Sequence, residues 1–299
     1  MTKALPITLL IFILGLLMMN CYGKRVEIDW VYPDGNHKAL IMSYDDGLDD
    51  DIALAQLFDR YGIIGTFNLN SGLLDTRAIW DQSKPNESIG TYLSKDTLLD
   101  VFKNHEIAVH GTYHKALVGL SDEEILEEIN VDIENLTILS GRKISSMAYA
   151  FGSTNDHVAE VIRTTTLSNA RTVKSSYNFD LPENHYLWNP TCHDSEALEY
   201  LEAYLSLDSP KLSLFYVWGH SWELRDTLRN QNILKFCNII GDRDDIWYTG
   251  AGAFADYHAS LKALEISTKQ MTNPEGNGVV YYREKDQLKS LHPGQRLIL

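Results

Sequence analysis

The chain has 299 residues, 44% of them hydrophobic and 22% charged, which is an ordinary globular balance. Its formal net charge of −15 argues against nucleic acid or an anionic membrane surface as the main partner. A neutral sugar polymer or a small molecule is compatible with that charge, and the length suits one large α/β domain or two smaller ones.

The chain opens on a targeting segment. Lys3 precedes an apolar core over residues 9–19, which has signal-peptide length and is short for a membrane span. Cys21 follows at once, as at the lipid-attachment site of bacterial lipoproteins, although Asn20 stands where a small residue is usual. Residues 1–21 are expected to direct export to the periplasm, the cell surface or the medium, with membrane attachment through a lipidated Cys21. An uncleaved anchor helix is the alternative. Residues 22–299 then form a single catalytic domain. Its two cysteines, Cys192 and Cys237, are too few for a disulfide framework, and one bridge between them stays open. Cys192-His193-Asp194 looks like a nucleophile with helpers, but such triads assemble from distant segments.

Strands and helices alternate along the rest. A lead over residues 22–36, with Trp30 and Tyr32, is expected to pack across the sheet or barrel bottom. The apolar run 39–42 reads as a first strand that ends in Tyr44-Asp45-Asp46-Gly47. Asp49, Asp50 and Asp51 then cap a helix that ends at Gly62. Residues 63–69 form a second strand, 71–90 a long polar loop and 94–104 a short helix. A third strand, 106–110, ends in His110. Ser121 and Glu124 form a capping box for a long helix that Gly141 stops. A fourth strand over 144–151, a helix around 156–163 and a strand near 170–173 follow. Then come a helix over 195–207, a strand over 212–218 that runs into His220, a helix over 228–240, a strand at 246–248 and a helix over 254–266. This order gives βαβ units and a parallel sheet: an α/β fold, a distorted (β/α) barrel of about seven parallel strands. Segments at 278–282 and 296–299 read as short C-terminal β additions.

Three strands located from apolar runs alone end in groups that bind metal or move protons: Asp45 and Asp46, His110, and His220. Parallel α/β folds gather their C-terminal strand ends at one face, where active sites form. Acidic residues at a helix start commonly serve as caps, but this convergence favours a site. His110 and His114 are four apart and can reach one ion, although a chance pair has the same spacing. With Asp46 they make a two-His, one-carboxylate set suited to Zn²⁺, or to Fe, Co or Mn. Asp45 is then placed to deprotonate a water, and His220 to protonate a leaving group.

Tyr44-Asp45-Asp46-Gly47, His110-Gly111-Thr112-Tyr113-His114 and Trp218-Gly219-His220 resemble, in order and separation, the motifs of the polysaccharide deacetylase family (the NodB-homology domain of carbohydrate esterase family 4). The resemblance covers roughly residues 38–260 and extends to a bacterial exported subgroup through 218–223 and 245–248. It implies a divalent metal, zinc foremost with Co, Mn, Fe or Ni as alternatives, and hydrolysis of acetyl groups from an acetylated oligo- or polysaccharide. Carried over, Asp45 matches the catalytic base, Asp46, His110 and His114 the metal triad, and His220 the general acid. Residues 148–152 resemble the third motif, with Ala150 where proline is usual, and this gives the Phe151 backbone N–H a place in holding the oxyanion.

Three departures stand out. Met147 and Ala148 occupy the region where the family has an arginine that contacts the base. Arg171 is the candidate replacement, with an ordinary surface ion pair as its alternative. The carboxylate that orients the acid histidine has no clear match, and Asp180, Asp194 and Glu223 are all candidates. Gly111 replaces a hydroxyl residue. The expected activity is metal-dependent removal of acetyl groups, N-acetyl foremost. The alternatives are a non-catalytic glycan-binding relative and a deacylase acting on O-acetyl esters or a non-sugar amide. His37, His105, His157, His185, His193 and His258 carry no partner pattern and are assigned to surface or core. Trp80, Trp188, Trp218, Trp222 and Trp247 include candidates for sugar stacking, although tryptophan is mostly core.

Overall fold

The apolar run at 39–42 becomes the middle of a nine-residue strand, Lys38–Asp46, in a computed structural model that describes residues 28–79, 83–84 and 86–299. The expected signal segment, the lipid-attachment Cys21 and Trp80 lie outside the described residues. In chain order the first eleven strands are β1 (Asp29–Val31), β2 (Lys38–Asp46), β3 (Gly65–Leu69), β4 (Arg77–Ala78), β5 (Gly90–Thr91), β6 (Glu106–Val109), β7 (Ser146–Ala148), β8 (Asn169–Arg171), β9 (Cys192–His193), β10 (Ser213–His220) and β11 (Ile246–Tyr248). The helices are α1 (Asp50–Arg60), α2 (Leu98–Val101), α3 (Asp122–Ser140), α4 (Asp156–Arg163), α5 (Ala197–Leu205), α6 (Thr227–Ile240) and α7 (Ala251–Lys262).

The main sheet runs β8-β7-β6-β3-β2-β10-β9, and every neighbouring pair is parallel. An eighth strand, β11, pairs with the first three residues of β2, on the flank that β3 takes over from Met42 onward. The segment 188–193 links the two sheet ends. Trp188 N–H donates to Ala170 O at 3.1 Å, Thr172 N–H donates to Trp188 O at 2.9 Å, and Thr191 N–H donates to Tyr216 O at 2.7 Å. The sheet therefore curls into the distorted barrel read from the sequence.

Strand periodicity divides the core. Leu40, Met42 and Tyr44 of β2 face the helix layer with Phe58, Phe67 and Phe102. Ala39 and Ile41 face the other way, with Leu214, Tyr216, Trp188 and Phe254. On that parity Ser43 and Asp45 continue the inner face. Helix α7 seats against the N-terminal strand ends. The Ala251 and Gly252 amides reach Thr66 Oγ1 at 2.9 Å and Glu106 Oε1 at 2.9 Å. Tyr32 closes the same end, its ring tilted among those of Trp247, Phe254 and Tyr257, so the described part of the lead packs across the bottom. Beyond α7, β12 (Glu265–Ile266), β13 (Gln270–Thr272), β14 (Val280–Glu284), β15 (Gln287–Leu291) and β16 (Arg296–Ile298) build two small antiparallel sheets, one completed by β1. Among the described residues no helix is long and apolar enough to cross a membrane.

Several boundaries differ from the sequence reading. The fourth strand stops at Ala148, because the chain enters a 3-10 turn at Ala150–Gly152 with Phe151 left-handed (φ 57°). The helix expected over 94–104 is one turn, anchored by buried Leu98 and Phe102. The polar loop after β3 carries the small β4–β5 hairpin. Of the three aspartates at the start of α1, Asp49 makes no side-chain capping bond, and Asp50 and Asp51 lie in the first turn. Asp51 is fully buried, and burial pushes its carboxyl well above the ordinary value. The capping box of α3 and the left-handed Gly141 at its end are as expected. Cys192 and Cys237 are buried free thiols and not a bridge.

Candidate active site and metal centre

The C-terminal ends of β2, β6, β8 and β10 open into a cavity of about 720 Å³. Its wall includes Asp45, Asp46, His110, His114 and His220, together with Phe151, Trp218 and Trp222. Two consecutive strand residues ordinarily point to opposite faces. Asp45 and Asp46 escape that rule because Asp46 is left-handed (φ 84°), and so is Gly47 (φ 74°). A non-glycine residue with such a φ stores strain and clusters at functional sites. The positive φ favours glycine there, and a Cβ at Gly47 would also lie 2.9 Å from Leu69 Cδ2. Both carboxylates thereby reach the same histidine, with His110 Nε2 at 3.6 Å from Asp46 Oδ1 and 4.0 Å from Asp45 Oδ2.

Asp46, His110 and His114 present one ligand atom each within 4.8 Å of one another. Asp46 Oδ1 is 3.4 Å from His114 Nε2. Metal–ligand bonds of 2.0–2.2 Å in a tetrahedral site put neighbouring ligand atoms about 3.3–3.6 Å apart, so the set has the right size for one divalent cation. The tautomer is right as well. His110 Nδ1 lies 2.9 Å from Ala148 O, which can only accept, so Nδ1 holds the proton and Nε2 keeps its lone pair. Burial pushes the His110 imidazole down to about 4 and lowers His114 too, which favours the neutral, ligating form. Asp46 is oriented by the Trp222 indole N–H, which donates to Oδ2 at 2.9 Å and leaves Oδ1 facing the histidines. Trp222 thus has an orienting role that the sequence reading did not assign.

The His110–His114 loop is held from behind by α3. Glu128 Oε1 accepts from the Tyr113 amide at 2.7 Å, and Glu128 O accepts from the Thr112 amide at 3.0 Å. Asp132, one turn on, accepts from the His110 and Ser71 amides at 3.2 and 2.8 Å. Gly111 (φ 88°) fits because a Cβ there would meet Glu128 Oε1 at 2.9 Å. The Glu128 carboxylate occupies the space that a side chain at 111 would take. His114 is left-handed (φ 58°), and its ring lies 4.3 Å from that of Phe151.

Asp45 is buried and fully engaged. Arg171 Nη2 donates to Oδ1 and Oδ2 at 2.5 and 2.6 Å, and Asn68 Nδ2 donates to Oδ1 at 2.9 Å. Burial pushes the Asp45 carboxyl up, but the charges of Arg171, His110 and His220 outweigh it and hold the group below its ordinary value. Arg171 is itself completely buried, not a surface ion pair, and its guanidinium sits 4.8 Å from the Trp218 ring. Its strand position is the register partner of Ala148, where the third motif lacks its arginine. Arg171 thus brings its cation to Asp45 from β8.

His220 ends β10 opposite Asp45 in register. Of the three carboxylates considered for it, Glu223 is the one at hand, with Oε2 at 3.3 Å from His220 Nδ1. Asp180 is exposed, and Asp194 instead accepts from Tyr44 OH at 3.0 Å. Burial alone would push the His220 imidazole down. Glu223, Asp45 and Asp46 more than offset that and leave it above the ordinary value. Arg229 Nη1 holds the other Glu223 oxygen at 2.7 Å. The remaining histidines mostly keep structural places. His37 pairs with Asp29, His157 with Asp122 and His185 with His258, and His105 is buried. His193 differs, since its Nε2 lies 3.0 Å from Glu223. Cys192 is buried with its thiol pushed up, which removes the nucleophile reading of 192–194. Trp188 and Trp247 are core residues.

No curated protein matches the chain. Among solved structures, a polysaccharide deacetylase from Mycobacterium smegmatis, described as putative, superposes with a TM-score of 0.53 at 15% identity, over 78% of this chain and 93% of that one. It shares the fold. A family 4 carbohydrate esterase from Streptomyces lividans in complex with acetate matches over 71% of this chain and 92% of its own (TM-score 0.43, 12% identity). A polysaccharide deacetylase from Bacillus cereus matches over 45% of this chain (TM-score 0.38, 18% identity), and the chain spans only 40% of its length. The family model described as polysaccharide deacetylase matches residues 33–170, the stretch that carries the Asp45-Asp46 and His110–His114 motifs. Residues 33–170 are thus similar to the polysaccharide deacetylase family, and the shared barrel shows the fold.

Proposed function

We propose that the protein is a metal-dependent carbohydrate deacetylase that hydrolyses N-acetyl groups. The observation that carries this reading is the buried Arg171–Asp45 pair beside the Asp46, His110 and His114 set. It keeps a carboxylate ionised next to a cation site, as a proton acceptor requires. When bound, a divalent cation, zinc foremost given two imidazoles and a carboxylate, supplies Lewis-acid polarisation of the acetyl carbonyl and acidifies water. Asp45 takes the proton from the attacking water. The Phe151 N–H, presented by its left-handed turn, donates to the oxygen that becomes negative. His220, kept protonated by Glu223, gives its proton to the nitrogen as the C–N bond breaks, so that acetate and a free amine leave. Trp218 and Trp222 supply aromatic faces at the cavity wall for a sugar ring.

A glycan-binding relative without turnover would be motivated by a missing arginine and a missing acid-orienting carboxylate. Arg171 and Glu223 stand at those two places, which supports catalysis. We also propose export through residues 1–21, with Cys21 as lipid anchor. The test of function is acetate release from N-acetylated and O-acetylated oligosaccharides, with and without chelator. Release from N-acetyl substrates that stops on chelation and returns with zinc is expected. Metal-loaded protein that releases acetate from neither substrate class would sink the proposal.

A further inference from the structure

We propose that Arg77 selects a glycan that carries a carboxylate, by pairing with that group at the cavity wall. The effect on turnover rests on the deacetylase reading above; the binding does not. Arg77 is the one lysine or arginine among the described residues that line the cavity. Backbone alternation in β4 sets its direction. Ala78 is fully buried with Leu48 and Tyr92, whereas Arg77 and Ile79 stand on the other face and both line the cavity. The hairpin that carries Arg77 is tied down. Ile89 N–H donates to Ala78 O and Tyr92 N–H to Thr76 O, each at 2.9 Å. Leu93 N–H donates to Gly47 O at 2.9 Å, which joins the hairpin to the turn that follows Asp45 and Asp46. Arg225 donates to Ile89 O and to both oxygens of Asp50, and so straps the hairpin to α1. Arg77 therefore has a fixed base beside the candidate active site.

Charge matching singles Arg77 out. The chain has 26 lysines and arginines against 41 acids, so a carboxylate partner is easily found. Arg171, Arg225 and Arg229, which also lie near the strand ends, are matched to Asp45, Asp50 and Glu223. The Arg77 guanidinium makes no hydrogen bond or ion pair among the described residues. The two carboxylates of the cavity do not claim it. Asp45 is held by Arg171 and Asn68, and Asp46 by Trp222. A guanidinium is a rigid planar fork of N–H donors that fits a carboxylate through two parallel bonds, and an acidic sugar supplies that group. The net charge of −15 opposes a dense polyanion, not a single carboxylate beside one cation. At physiological ionic strength charges farther than about 8 Å are largely screened, so the local cation decides.

The test compares zinc-loaded wild type, Arg77→Gln and Arg77→Lys on three tetrasaccharides. One is N-acetylglucosamine alone, one alternates N-acetylglucosamine with glucuronic acid, and one is the carboxyl-reduced form of the second. Calorimetry gives the dissociation constants and acetate release gives kcat and KM. Wild type is expected to favour the acidic form over its reduced form by roughly fivefold, the upper end for an exposed ion pair. The preference should appear in Kd and KM and not in kcat, and should weaken at high salt. Arg77→Gln should bring the ratio close to one, and Arg77→Lys should keep part of it, because the charge stays and the fork is lost. A wild type with no preference for the acidic form overturns the proposal, and so does a preference that survives in Arg77→Gln. Acetate release from the N-acetylglucosamine tetrasaccharide without any acid preference sinks the Arg77 proposal and leaves the deacetylase reading standing. An Arg77-dependent binding preference in a protein that deacetylates nothing supports the proposal while the deacetylase reading fails.

Discussion

Arg171 grips both oxygens of Asp45 from the far edge of the sheet. Three strands separate β8 from β2 in the sheet order, yet the guanidinium and the carboxylate meet at 2.5 and 2.6 Å inside the barrel. Only a sheet curled on itself brings these positions together. The pair belongs to a fully hydrogen-bonded group, with Ser43 Oγ accepting from both Arg171 Nε and Asn68 Nδ2, and Arg171 Nη1 donating to Thr172 O. A buried ion pair satisfied in this way holds its geometry, and breaking it leaves an uncompensated charge.

Arg171→Met is therefore expected to lower stability by about 3–5 kcal/mol at neutral pH, the typical cost of removing one partner of a buried pair. The sign against pH follows from Asp45. Its folded carboxyl lies below the ordinary value of 3.8, so the pair's stabilisation is present above 3.8 and is lost as pH falls through the lower folded value. In the variant burial loses its largest offset, so the acid limb of kcat/KM should move to higher pH. Urea titrations and pH–rate profiles read both effects; an unmoved acid limb would remove Arg171 from the role of orienting the base.

Asp45→Asn keeps the shape and removes the proton acceptor. Acetate release is expected to fall by roughly 10²–10⁴, the usual range for a lost general base. Zinc uptake by the Asp46, His110 and His114 set should persist, because Asp45 is the more distant carboxylate from His110. Loss of turnover with metal retained separates catalysis from glycan binding. Unchanged turnover would assign the base elsewhere.

Glu223→Gln probes the acid. Burial lowers the His220 imidazole, and Glu223 heads the groups that raise it above 6.5. Without that charge the alkaline limb of kcat should shift to lower pH, while the acid limb set by Asp45 stays in place. Activity at pH 6 should fall less than activity at pH 8. A profile that drops uniformly would mean that Glu223 only shapes the turn.

Much of this site can be read from the sequence, because apolar runs mark these strands and a reactive residue stands at the end of each. The barrel, the Asp46, His110 and His114 grouping and His220 follow from that alternation. What stayed hidden depends on geometry that sequence distance does not encode. Arg171 was reachable only as a charge near a strand end, and its pairing with Asp45 needs the curvature of the sheet. Trp222 and Glu128 look like ordinary aromatic and helix-surface residues, yet they orient Asp46 and the histidine loop. Asp49 to Asp51 read as caps because helix starts favour acid, but the described helix leaves Asp49 without a capping bond. His193 carried no pattern at all, since its partner Glu223 is 30 residues on and reaches it only through the β9–β10 pairing.

Glu128 and Gly111 give the last prediction. The family's usual hydroxyl after the first histidine is absent here, and the loop is instead held by a carboxylate from α3. Glu128 Oε1 accepts from the Tyr113 and Lys115 amides at 2.7 and 3.3 Å, and the residue is only 2% exposed. Gly111→Ser would add a side chain within 2.9 Å of that carboxylate at a φ of 88° that L-residues rarely adopt. It should therefore weaken zinc binding instead of restoring the family pattern. Glu128→Ala should also weaken it, by roughly 10–100-fold, as for other residues that orient ligands. The double variant Gly111→Ser/Glu128→Ala relieves the clash and lets the new hydroxyl serve the loop, so it should bind zinc more tightly than either single variant. Competition with a chromophoric chelator measures all four proteins. If the two losses simply add in the double variant, Glu128 and position 111 act independently and the exchange of anchors is wrong.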